Sequence, residues 1–253
     1  MNLAITQTTA LSTTERHSLL RVGLLHLAPG VVITLVFVVL ARITAAQGMP
    51  ASLALLITWL IAGIPLLLGI LFYQGYRLNG KLSLQGILLN RQPLPLRQYA
   101  WMVPALLMWT AISSTVFYLF SESLHQSLFA WTPEWLNLSA FAQHPANYSR
   151  GVIWAIVILS AVLNLAVPIT EELYFRSYLL PRLPFGRAWS PLINAVLFSL
   201  YHFWLPWDFF GRIVALLPVV YAVQWKQNVY LSILVHCLLN SLGTIGLLAL
   251  VLK

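Results

Sequence analysis

Residues 151–176 read GVIWAIVILSAVLNLAVPITEELYFR. The first twenty carry no charge, which is about the length a helix needs to cross the hydrocarbon core of a bilayer. Two adjacent glutamates follow, Glu171 and Glu172, with Arg176 four residues after the second. Inside a bilayer the backbone must satisfy its own hydrogen bonds, so a run of this kind predicts a membrane helix. This one carries carboxylates near its end, where an ionisable group is costly and points to function.

The same window, moved outward, predicts seven spans. They run from about Val22 to Ile43, Leu53 to Tyr73, Trp101 to Phe120, from near Gly151 onward, Trp189 to Leu205, Gly211 to Trp225 and Val229 to Leu250. The expected fold class is all-α, a polytopic transmembrane helical bundle of about seven spans, with about six to eight compatible with the pattern. Four regions follow: an N-terminal tail, 1–21; three N-terminal spans, 22–120; an extracytoplasmic loop, 121–150, with an interfacial helix near Trp131 and Trp135; and a four-span C-terminal domain, 151–253.

Composition agrees. The chain has 253 residues, 14 Lys+Arg and only six Asp+Glu, so 8 % are charged while 60 % are hydrophobic. Mean hydropathy is +0.82. An ordinary soluble domain has about 25 % charged residues, so soluble enzymes, disordered chains and nucleic-acid readers are excluded. The net charge of +8 reflects membrane topology rather than a nucleic-acid partner. A single cysteine, Cys237, allows no intrachain disulfide. Thr44-Ala45-Ala46 resembles a signal-peptide cleavage site, but the long polar lead and full span length favour an uncleaved helix.

Arg16, Arg21, Arg77, Lys81, Arg91, Arg97, Arg182, Arg187 and Lys226 fall in the tail or in alternate connectors. The positive-inside rule makes those cytoplasmic, with the N-terminus inside and the C-terminus outside; Lys253 alone disagrees. Short loops suggest a bacterial inner or plasma membrane.

Three polar groups interrupt the C-terminal spans: Glu171-Glu172 with Arg176, Phe198 with His202, and His236 with Asn240. At 1.5 Å per residue, Glu171 lies about 15 Å, His202 about 20 Å, and His236 and Asn240 about 10 and 16 Å from the cytoplasmic ends of their spans. Three helices thus place polar groups at one level, as one shared site requires. Glu172 and Arg176 share a face and can pair, while Glu171, rotated by about 100°, faces elsewhere.

A desolvated carboxylate can act as a general base. Glu171 and His202 would hold and activate a water, and His236 and Asn240 would donate to an oxyanion. That is peptide hydrolysis without a covalent nucleophile. A zinc reading uses Glu171, His202 and His236 as ligands with one open position, but the H-E-x-x-H spacing is absent, and the expectation is no metal and no cofactor. Each group also has a plainer reading: Glu172–Arg176 as a structural ion pair, the histidines as packing residues, Asn240 as a link between helices.

The order E-E-x-x-x-R, F-x-x-x-H, H-x-x-x-N on successive membrane helices resembles the CPBP (Abi) family of intramembrane proteases, which includes the CAAX prenyl endopeptidases and proteins linked to bacteriocin processing. Here the elements are Glu171-Glu172-x-x-x-Arg176, Phe198-x-x-x-His202 and His236-x-x-x-Asn240, and the stretch Phe175 to Leu183 resembles the continuation after the glutamate pair. The resemblance covers about Gly151 to Leu250. It implies Glu171 and His202 on the attacking water, His236 and Asn240 at the oxyanion, and Glu172 and Arg176 in support. Its implied partners are a peptide or membrane-protein substrate and the lipid bilayer. Two other classes fit buried ionisable groups: a transporter, and a non-catalytic immunity or binding protein on the same bundle.

Overall fold

The computed structural model describes residues 15–251. Six helices are long and apolar enough to cross a membrane: α1, Leu19–Ala45; α2, Ala51–Asn79; α3, Leu96–Ser127; α4, Arg150–Arg182; α6, Pro206–Lys226, its α-helical part being Phe209–Lys226; and α7, Tyr230–Val251. Between α4 and α6 lies α5, Ser190–Tyr201, with only 12 residues. The protein is a polytopic membrane helical bundle.

Outward faces are apolar. Leu35 and Val39 on α1, and Ile158, Val162 and Leu165 on α4, are at least half exposed and recur at three- to four-residue spacing. Such stripes would be unstable in water and are what lipid tails cover.

Several boundaries differ from expectation, among them that of α3, which runs on to Ser127 into the expected loop. The helix α5 stops at Tyr201 rather than near Leu205, because His202 leaves helical geometry with φ −81° and ψ 57°. A 12-residue helix rises about 18 Å, too little to cross alone. The helix α4 is not α-helical to its end. Its α-helical part stops at Glu172, and the chain continues through a π-helical turn, Leu173–Leu179, and a 3₁₀ turn, Leu180–Arg182. Near Trp131 and Trp135 the loop forms only a 3₁₀ turn, Glu134–Leu136, followed by a four-residue helix, Ala140–Gln143. Of the expected tail, residues 1–14 lie outside the described residues, as does Lys253.

A π-helical turn displaces carbonyls from the ordinary helical ladder, and here other segments collect them. Asn194 Nδ2 of α5 donates to Phe175 O (3.1 Å), Asn90 Nδ2 of the α2–α3 connector donates to Arg176 O (2.9 Å), and Leu89 N donates to Ser177 O (3.0 Å). The same connector bonds the α6–α7 turn, through Gln92 N to Gln227 O and Val229 N to Asn90 O. The turn that follows the two glutamates is therefore held by two segments, α5 and the α2–α3 connector.

The core beside it is aromatic. Phe175 of α4 meets Phe198 and Tyr201 of α5 at 4.9 and 4.8 Å between ring centres, in edge-on contacts. All three are at most 1 % exposed. Edge-to-face pairs fix relative orientation as well as burying area. On the far side of α5, Gly30 of α1 lets the helices touch: a Cβ there would lie 2.1 Å from the backbone oxygen of Tyr201.

Candidate active site

The π-helical turn and the end of α5 set the site. Glu172 is the last α-helical residue of α4, and Glu171 precedes it by one. Both side chains turn inward, each about 2–3 % exposed. Arg176 lies one turn on, its Nε 3.3 Å from Glu172 Oε2 and its guanidinium carbon 3.9 Å from the centre of the Phe198 ring. The expected pair therefore forms, with the arginine also held by a cation–π contact.

His202 is the residue at which α5 ends. Its ring is bracketed by Phe198 (4.7 Å), Tyr201 (4.9 Å) and Trp204 (4.8 Å). Its Nδ1 lies 2.8 Å from Phe198 O. A carbonyl only accepts, so Nδ1 carries the proton, and in the neutral ring Nε2 presents a lone pair. That Nε2 lies 3.8 Å from Glu171 Oε1, and this buried oxygen has no hydrogen-bond partner.

His236 comes from α7. Its Nδ1 is 3.0 Å from Glu172 Oε1 and its Nε2 is 3.9 Å from Glu171 Oε2. One imidazole thus spans both glutamates. Asn240, one turn further along α7, lines the same cavity. Its backbone oxygen accepts from Asn164 Nδ2 of α4 at 2.9 Å, and Asn164 also bonds Thr244. These bonds tie α7 to α4 beside the site.

Glu171, His202, His236 and Asn240 border a cavity of about 470 Å³, which residues of α3 and α6 also line. Its size lies within the usual range for ligand sites, about 300–1,000 Å³. The structure thus brings together all six residues singled out in the sequence. It adds others that the sequence reading passed over. The hydroxyl of Tyr201 is buried without a hydrogen-bond partner. Asn194 and His26 brace α5 against α4 and α1: His26 Nδ1 donates to Val22 O, and its Nε2 accepts from Asn194 Nδ2 at 3.3 Å. Arg212 of α6 lines the cavity itself. An arginine within an apolar span is the signal that marks it.

The donor set, two imidazole nitrogens and a carboxylate, is one that zinc accepts. Ligands about 2.0–2.2 Å from a tetrahedral ion stand about 3.3–3.5 Å from one another, whereas Glu171 stands 3.8 and 3.9 Å from its two imidazole neighbours. Among the described residues no three His, Cys, Asp or Glu side chains are arranged to hold a metal ion. The residues as they stand do not close around one.

No curated protein and no solved structure matches the chain. Residues 150–242, which contain α4 to α6 and the site-bearing part of α7, match the family model described as Type II CAAX prenyl endopeptidase Rce1-like. The resemblance implied by the three motifs thus agrees with an independent comparison over the same helices, in which this segment is similar to the Rce1-like CAAX endopeptidases.

Proposed function

We propose that this protein is a glutamate-type intramembrane endopeptidase. The observation that carries this is the pair of facing atoms Glu171 Oε1 and His202 Nε2. They are 3.8 Å apart, beyond hydrogen-bond reach of each other and within reach of one shared water. The water donates one proton toward each, which leaves an oxygen lone pair free to attack.

In this scheme Glu171 takes a proton as the water oxygen bonds to the substrate carbonyl carbon. The carbonyl oxygen becomes an oxyanion, stabilised by His236 Nε2–H and the Asn240 amide. The C–N bond then breaks, and the proton held by Glu171 passes to the departing amine. Because His236 Nδ1 donates to Glu172, its Nε2 can donate only when the ring carries both protons. In that form Nδ1 keeps its bond to Glu172, which Arg176 holds in turn, so the ring stays aimed at the oxyanion. No step needs a metal, which the wide spacing of the donors favours.

The orientation we favour keeps the N-terminus cytoplasmic, as the basic connectors suggest. The test of the chemistry is hydrolysis of a prenylated CAAX peptide by the purified protein. Glu171→Gln and His202→Ala should each remove activity. A zinc chelator should leave the wild-type rate unchanged, and loss of activity that zinc restores would overturn the metal-free scheme.

A further inference from the structure

Three arginines are set into the C-terminal half of the bundle, and their surroundings differ. Arg176 pairs with Glu172 at 3.3 Å and stacks on Phe198, although its Nε and Nη1 make no hydrogen bond, and it does not line the cavity. Arg182 donates to three backbone oxygens, Ile87, Tyr178 and Gly86, at 2.7 to 3.0 Å. Arg212 has only long contacts: Nη1 to Ser199 O at 3.4 Å, and Nη2 to Asp208 Oδ2 at 3.8 Å. Charge-assisted bonds to a carboxylate run at about 2.7–2.9 Å. A guanidinium carries five N–H donors in a fixed fork, so most of its bonding capacity is unspent.

A cation within a bilayer-spanning helix is expensive unless it is paired. Arg212 lines the cavity that holds Glu171, His202, His236 and Asn240. Its side chain is 14 % exposed, whereas Asp208 is 40 % exposed, at the foot of α6. The fork therefore awaits an acceptor that arrives with the cavity's occupant. A peptide supplies one planar anion whatever its sequence, the α-carboxylate at its C-terminal end, and that group matches the guanidinium fork. A cavity of about 470 Å³ has room for a short peptide segment.

We propose that Arg212 binds the free C-terminal carboxylate of the substrate and thereby sets which peptide bond reaches Glu171. This rests on the peptidase reading above. It makes Arg212 a specificity-determining residue with no part in the bond-breaking step.

The experiment compares one prenylated CAAX peptide in two forms, C-terminal free acid and C-terminal amide, with the protein in nanodiscs. A charge-assisted bidentate contact corresponds to about a 10- to 100-fold preference in kcat/KM for the acid, chiefly through KM. In Arg212→Gln the acid should fall to the level of the amide, and Arg212→Lys should recover part of the preference. Equal wild-type rates on acid and amide would overturn the assignment while leaving the peptidase reading intact. So would a preference that survives in Arg212→Gln, or loss of both substrates alike in that variant. Failure of the wild type to cleave either form would instead bring down the peptidase reading, and this assignment with it.

Discussion

Glu171 Oε1 and His202 Nε2 face each other across 3.8 Å, and the histidine's other nitrogen is committed to the carbonyl of Phe198. A buried carboxylate and an imidazole nitrogen acceptor are thus held one water apart by two different helices. Glu171→Gln keeps the shape and removes the base. His202→Ala removes the second contact. Positioned general bases contribute about 10²- to 10⁴-fold, so each variant should lose at least 10²-fold in kcat with a melting temperature near wild type. Full activity in either would rule out the water-activation scheme.

The Glu172–Arg176 pair separates support from chemistry. Both side chains are at most 2 % exposed. Removing one partner of a buried pair leaves an uncompensated charge, at a cost of about 3–5 kcal/mol. Arg176→Met should therefore lower stability sharply, as measured by denaturation in detergent. The double variant Glu172→Gln, Arg176→Met should recover much of that stability. It should stay poorly active, since His236 Nδ1 has lost its carboxylate. Recovery of activity along with stability would make the pair purely structural.

Much of this site could be read from spacing alone, for a physical reason. In a chain with six acids, a carboxylate inside an apolar run is conspicuous, and i,i+4 geometry gives Glu172 its partner. Estimated depths then bring His202 and His236 to the same level. The end of α5 was harder to foresee. No Pro or Gly separates Tyr201 from Leu205, and the helix stops because His202 turns out of it toward Glu171. The π-helical turn was equally hidden, because it depends on Asn90, Leu89 and Asn194 from elsewhere in the fold collecting its carbonyls. Arg212 escaped notice because it stands one residue inside the expected start of its span at Gly211, where a charge passes for an interfacial one. His26, without a carboxylate nearby in sequence, gave no sign of its bond to Asn194, 168 positions away.

Gly30 transmits to the site through backbone contact. A methyl group there would press on the Tyr201 carbonyl at 2.1 Å and on its ring at 2.8 Å, and backbone cannot yield as a flexible side chain does. Gly30→Ala should push α1 and α5 apart. Overpacking of this kind costs about 1–3 kcal/mol. Because His202 is the next residue after Tyr201, activity should drop as well. Gly69→Ala is the control: nothing lies within 4 Å of the added methyl, and alanine favours a helix over glycine by up to about 1 kcal/mol. Thermal melts and peptide hydrolysis on the two variants check both expectations.

His17 gives the fold a pH dependence remote from the chemistry. It lies just before α1, 5 % exposed, with its backbone N–H donating to Arg182 O at 2.8 Å and its ring edge-on to Tyr178. Burial, then Arg21 and Arg182, push its pKa down from the ordinary 6.5 to about 4. The folded state therefore resists a proton that the unfolded chain accepts readily. Its contribution to stability is intact above about pH 6.5 and is lost as pH falls toward 4. His17→Phe keeps the backbone bond and the ring contact and removes the titration. The melting temperature of the wild type relative to this variant should thus decline between pH 7 and pH 4.5, and a constant difference across that window would show that His17 does not titrate with folding.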